Sequence, residues 1–107
     1  MKATIGLVAA IGLMMAGAAN AAVDVAAAEV LAKKSACLTC HAVDKKLVGP
    51  PFKEIAAKYR DDKTAEAKLI DKIKKGGSGV WGPIPMPAST QIKEDEGKTL
   101  AQWILSM

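Results

Sequence analysis

Both cysteines of the 107-residue chain and its single histidine fall within five consecutive positions, Cys37-Leu38-Thr39-Cys40-His41. Thiols and an imidazole at this spacing can form a disulfide, act as a dithiol redox pair, bind a soft metal, or take up a c-type haem as C-x-x-C-H. A disulfide between Cys37 and Cys40 would close a very small, strained loop. A dithiol redox pair of the thioredoxin kind needs a βαβ setting, and the surrounding pattern is helical. A tetrahedral zinc site wants four ligands, and a second Cys/His pair is missing. The haem pattern fits as it stands. Residues three and four apart share one face of a helix. Cys37 and Cys40 can therefore point together at the two vinyl groups of one haem edge, and His41 brings its imidazole under the iron.

Iron has a second axial position. Three of the five methionines, Met1, Met14 and Met15, lie in an N-terminal segment with the marks of a leader, leaving Met86 and Met107. Met107 ends the chain in the apolar stripe of the last helix. Met86 stands in a loop punctuated by Pro83, Pro85 and Pro87, which fix φ and hold one thioether in one place. Met86 is thus the candidate second ligand. A thioether donor favours ferrous iron, and filling both axial positions leaves none for oxygen or peroxide. The pair His41 and Met86 points to an electron carrier over a catalyst; an open-site haem peroxidase or gas-binding protein is the alternative.

Several elements must position these residues. Lys2, the apolar run Ile5 to Met15 and Ala19-Asn20-Ala21 read as a secretory signal peptide, residues 1–21, cut after Ala21 or its neighbour Ala22. The domain is then 22–107. Four helices are expected beyond it. The first runs from Asp24, as cap, to Thr39, with Ala27, Val30 and Leu31 inward. The second spans Pro51–Tyr59, with Pro51 at the first helical position and Phe52, Ile55, Ala56 and Tyr59 on one face. The third spans Thr64–Lys75 and stops at Gly76-Gly77. The fourth spans Ile92–Ser106, burying Leu100, Trp103 and Ile104 and crossing the first; Gly97 there costs about 1 kcal/mol against alanine and allows close approach. No alternating strand pattern or Asn-Gly hairpin is present, and Gly76 to Thr90 reads as a rigid loop.

Of 15 basic side chains, Lys2 lies in the leader, leaving 14 against 11 acidic ones. That mild balance lacks the dense basic stripe of a nucleic-acid binder. After the leader no apolar run approaches membrane length, which excludes stable membrane insertion. A domain this small needs a staple beyond its core, and a covalent cofactor would supply one.

The chain resembles the small bacterial class I monohaem cytochromes c of the cytochrome c-551 family. The resemblance rests on CLTCH, on VGPPFK at Val48 to Lys53, on GSGVWGPIPMP at Gly77 to Pro87 and on LAQWIL near the end. It implies an all-α fold of about four helices around one covalently attached haem c, with iron held by His41 and Met86. It further implies that the Pro50 carbonyl accepts the His41 Nδ1–H, and that Trp81 and Lys72 meet the haem propionates. Lys72 stands where the family often has arginine, and Ser89, Thr90 and Gln91 occupy the stretch where it often has an asparagine bonded to the methionine sulfur. The function implied is that of a monomeric periplasmic shuttle. It would cycle between Fe(II) and Fe(III), fed by a membrane cytochrome complex and emptied by a terminal oxidase or a denitrification enzyme such as nitrite reductase. Leu38, Val48 and Ile84 would form an apolar patch at the haem edge. Lys33, Lys34, Lys45, Lys46, Lys74 and Lys75 are candidates for a basic rim that steers an acidic partner.

Overall fold

The computed structural model describes residues 22–107, so the expected signal peptide lies outside the described residues. Helix α1, Val25–Lys34, starts where the Asp24 carboxylate accepts the Ala27 N–H at 3.0 Å. It stops five residues short of the expected end. Ser35 N–H closes on the Leu31 carbonyl and Ala36 turns left-handed at φ 59°, a conformation that breaks a helix. A separate 3₁₀ turn, Cys37–Thr39, follows. The inward face of α1 matches expectation only in part: Leu31 packs half-buried on the core and Ala27 is half-buried, but Ala28 and Ala32 are the buried residues and Val30 is 64% exposed. Two alanines let α1 lie close on the last helix, and the larger Val30 falls outside that seam.

Helix α2, Phe52–Tyr59, is preceded by Pro51, which caps the helix in an extended conformation. Helix α3, Ala65–Lys75, ends at Gly76. Helix α4, Glu94–Leu105, opens with Glu94, Asp95 and Glu96 on its positive end, and the Glu96 carboxylate accepts the Lys93 N–H at 3.0 Å. It packs on each of the other three helices. The core gathers Phe52 and Ile55 of α2, Leu69, Ile70 and Ile73 of α3, Ile92, and Leu100, Ala101, Trp103 and Ile104 of α4. Gly97 is buried, but its close approach is to α3 and not to α1: a Cβ there would stand 3.2 Å from Ile70 Cγ2.

The segment expected to be a loop contains a short antiparallel hairpin, β1 Gly77–Gly79 and β2 Gly82–Met86, joined by Val80-Trp81. Gly79 and Gly82 adopt φ of 108° and 110° on either side of that turn, values only glycine takes readily. With two strands, every strand is an edge, so Pro83 and Pro85 cost no ladder bond on their outer side. Helices carry the fold; the hairpin is one flap on it.

Candidate haem site

A cavity of about 320 Å³ opens between the helices and the hairpin. Cys37, Cys40, His41, Pro50, Lys72, Trp81 and Met86 all line it. These come from four separate segments, and no helix alone could assemble them.

The turn after α1 sets the first three. Cys40 N–H and His41 N–H both donate to the Cys37 carbonyl, at 3.2 and 3.0 Å. The two sulfurs thus share one helical turn without belonging to α1, and they are not bonded to each other. Burial pushes the Cys37 thiol above its ordinary range. A dithiol redox pair or a thiolate metal site needs the reverse. Among the described residues no cluster of three His, Cys, Asp or Glu side chains could hold a free metal ion.

His41 is fixed on three sides. Its Nδ1–H donates to the Pro50 carbonyl at 2.8 Å. A carbonyl can only accept, so Nδ1 carries the proton, and Nε2 is the nitrogen left to meet an iron. The Phe52 ring stacks on the imidazole, centroids 5.3 Å apart and planes 19° from parallel, and Trp103 meets Phe52 edge-on at 5.2 Å. Gly49 lies against the ring: a Cβ there would come within 2.5 Å of Cε1. Backbone bonds brace the loop behind it, Gly49 N–H to Cys40 O at 2.7 Å and Phe52 N–H to Ala42 O at 2.9 Å. The roles of Gly49 and Phe52 escaped the sequence reading. The signal was Gly49 directly before Pro50, since nothing larger fits a backbone pressed against a ring.

Met86 ends β2, opposite Gly77. It is half-buried against the core. Gly76 holds it there: a Cβ on Gly76 would lie 2.3 Å from the Met86 carbonyl oxygen. Of the three candidates to support its sulfur, Ser89 is half-buried and donates its backbone N–H to the Ile73 carbonyl at 2.9 Å, while Thr90 and Gln91 are exposed.

On α3, Leu69, Lys72 and Ile73 face the cavity. Lys68, Lys74 and Lys75 are tied to Asp62, Glu94 and Asp71 at 2.7, 2.7 and 2.8 Å. Among the described residues, no ion pair reaches Lys72. Its ammonium lies 3.2 Å from where a Gly77 Cβ would be, under the start of the hairpin. Val80, Trp81 and Ile84 line the cavity yet remain 50%, 43% and 64% exposed. The donor set therefore fits a haem: two thiols on one turn, an imidazole held through Nδ1 with Nε2 left over, a thioether, a largely apolar lining, and a cation with no ion pair among the described residues. Of the lysines expected in a rim, Lys46 lines the cavity, and Lys74 and Lys75 are paired with Glu94 and Asp71.

Comparisons with known proteins agree on one kind of molecule. The family model for cytochrome c matches residues 25–107. The chain is 53% identical over 78 residues to cytochrome c-551 of Pseudomonas aeruginosa, covering 73% of this chain and 74% of that one. It is 48% identical over 105 residues to cytochrome c-552 of Nitrosomonas europaea, covering 98% and 96% of the two chains. The crystal structure of the latter superposes with a TM-score of 0.71 at 51% identity over 73% of this chain and 96% of that one. A class 1 cytochrome from Sideroxydans lithotrophicus superposes equally, TM-score 0.71 at 38% identity, over 79% and 97%.

Proposed function

The chain belongs to the cytochrome c family, as a small class I member of the cytochrome c-551 kind, and on that premise we propose that it is an exported one-electron shuttle whose iron is held by His41 and Met86. Family membership makes it an electron carrier with one covalently attached haem c. The observation that carries the ligand assignment is the gathering of Cys37, Cys40, the His41 imidazole held through Nδ1 and the Met86 thioether around one cavity.

When bound, the haem supplies one-electron cycling between Fe(II) and Fe(III). The chain's own residues do the rest. Cys37 and Cys40 would tether the haem through their thiols. Pro50 and Phe52 hold the imidazole, and the bond to Pro50 raises its basicity. Apolar walls exclude water, which lowers the local dielectric and the reorganisation each transfer needs. The Met86 sulfur favours the ferrous state. Lys72, without a carboxylate of its own, and the Trp81 indole N–H would hold the propionates.

Residues 1–21 act as a signal peptide in this reading, and 22–107 form the periplasmic domain. Among the described residues no helix is long and apolar enough to cross a membrane. The exposed Leu38, Val48 and Ile84, 39%, 54% and 64% accessible, make a small apolar contact for redox partners. Lys33, Lys34, Lys45 and Lys46 steer an acidic one, drawn from a membrane cytochrome complex on the donor side and an oxidase or nitrite reductase on the acceptor side.

Expression with periplasmic export and haem supply tests the ligand set. The ferrous protein is expected to be low-spin and inert to carbon monoxide. Met86→Ala should bind carbon monoxide and lose at least tenfold in its preference for Fe(II), a fall of about 59 mV or more for one electron. Rapid carbon monoxide binding by the unsubstituted ferrous protein would remove Met86 as a ligand.

A further inference from the structure

The bonds that anchor the hairpin to the helices lie at its base, Gly76 N–H to Lys72 O at 2.7 Å and Ser89 N–H to Ile73 O at 2.9 Å. Among the described residues, no hydrogen bond or ion pair joins the tip, Val80-Trp81, to a helix. One side chain does reach it. Lys58, on the last turn of α2, places its ammonium 5.6 Å from the centroid of the Trp81 ring and 5.9 Å from that of Tyr59. Both distances fall within the reach of a cation–π contact. Trp81 and Tyr59 both line the cavity. Lys58 makes no ion pair among the described residues, although α2 carries Glu54 on its first turn.

We propose that Lys58 is the positioning residue for Trp81: it bridges the mouth of the cavity from α2 to the hairpin tip, sets the plane of the indole, and adds a fixed positive charge at that edge. This rests on the haem reading above. The physical reason is the contrast between base and tip. A two-stranded ribbon with three glycines at positive φ, and a fourth, Gly76, at its base, does not hold its own end in place. A cation over the ring face supplies attraction worth about 0.5–1 kcal/mol at an exposed site. The indole N–H stays free to donate, since the cation takes the ring face and not its edge. The charge also favours the ferrous state, which carries one positive charge fewer.

The test compares Lys58→Gln and Lys58→Arg in the haem-loaded, ferrous protein, with two readouts. The first is the indole N–H resonance of Trp81, with that of the buried Trp103 as an internal reference. The second is the reduction equilibrium. Lys58→Gln is expected to shift or broaden the Trp81 resonance, leave Trp103 unmoved, and lower the preference for Fe(II) about twofold, the effect of one charge acting through about 10 Å of water-like medium. Lys58→Arg keeps the charge and the ring contact and should restore both. A Trp81 resonance unmoved in Lys58→Gln overturns the proposal, whatever the reduction equilibrium does. Failure of the haem reading itself would show in the unsubstituted chain, as absent haem absorbance, and cannot be confused with either outcome.

Discussion

Around His41 the chain is braced locally, while around Met86 it is braced only at one end. The histidine wall runs from Cys37 to Phe52. Its backbone is tied at Cys37, Cys40 and Ala42, and its ring lies between Gly49 and Phe52 with Trp103 behind. The methionine wall is a ribbon whose Gly77, Gly79 and Gly82, with Gly76 just before it, have positive φ, and its anchors lie at residues 76 and 89. His41, the first proposed ligand, is therefore set by packing that exists without the other. The second is set by conformations that only glycine tolerates. Two glycines, one per wall, separate these kinds of constraint.

Gly76 should be the more sensitive. Its φ of 68° and ψ of −156° lie in a region essentially closed to other residues. A Cβ would also meet three backbone atoms, 2.3 Å from Met86 O, 2.8 Å from Ala88 N and 2.9 Å from Pro87 C, and backbone cannot swing aside. Gly76→Ala is expected to cost about 3 kcal/mol or more, strain and overpacking together. The methionine–iron absorption should weaken while covalent haem attachment persists. Denaturant unfolding and the visible spectrum of the same sample measure both. An alanine protein with unchanged midpoint and spectrum would mean the hairpin base does not set Met86.

Gly49 has no positive φ, so only space is at stake there. Its Cβ would press on the imidazole at 2.5 Å from Cε1, 2.9 Å from Nδ1 and 3.0 Å from Nε2. A ring can tilt, at the expense of its bond to Pro50 and its stack on Phe52. Gly49→Ala should cost about 1–3 kcal/mol and displace the His41 imidazole, leaving the Met86 wall folded. If Gly49→Ala proves more damaging than Gly76→Ala, the ordering of the two walls is wrong.

The contrast also explains what could be read beforehand. C-x-x-C-H, the proline-spaced Met86 and the apolar stripes of α2, α3 and α4 are local signals, and they suffice for an all-α fold around one haem. The break at Ser35-Ala36 left no mark, because alanine is the best of helix formers and nothing nearby announces a left-handed residue. The strands were hidden for a related reason: GSG and GPIPM have no alternating pattern, and the hairpin exists through glycine backbone freedom and not through side chains. Val30 illustrates a third case. Helical spacing cannot tell which apolar face of α1 wins, and α4 selects the two alanines that permit close packing.

The Ala36 break opens the histidine wall, and it is the one place there where the backbone is strained. Alanine in the left-handed region costs about 1–2 kcal/mol. Replacing it by glycine relieves that and gives back about 0.4–1 kcal/mol through a freer unfolded chain. Ala36→Gly should therefore gain about 0.5 kcal/mol in denaturant unfolding without moving the reduction potential. A loss of stability would show that the left-handed turn is not strained in solution.

A region belonging to neither wall calibrates the rest. Asp62, just before α3, accepts from Lys68 Nζ at 2.7 Å, from Thr64 Oγ1 at 2.6 Å and from Thr64 N–H at 2.8 Å. The Lys68 ammonium first, then the two Thr64 donors, hold its carboxyl down at about 2. An unfolded aspartate titrates near 3.9. The folded value is the lower one, so this stabilisation is complete above about pH 5 and disappears as pH falls through about 2. The carboxylate is open to solvent, so salt should screen its contact with Lys68. Asp62→Asn is expected to lower the unfolding midpoint slightly at neutral pH, with the gap to the unsubstituted protein closing between about pH 4 and pH 2. The reduction potential should not change, since no part of this site lines the cavity. A gap that stays constant down to pH 2 would show that the carboxylate draws nothing from its three donors.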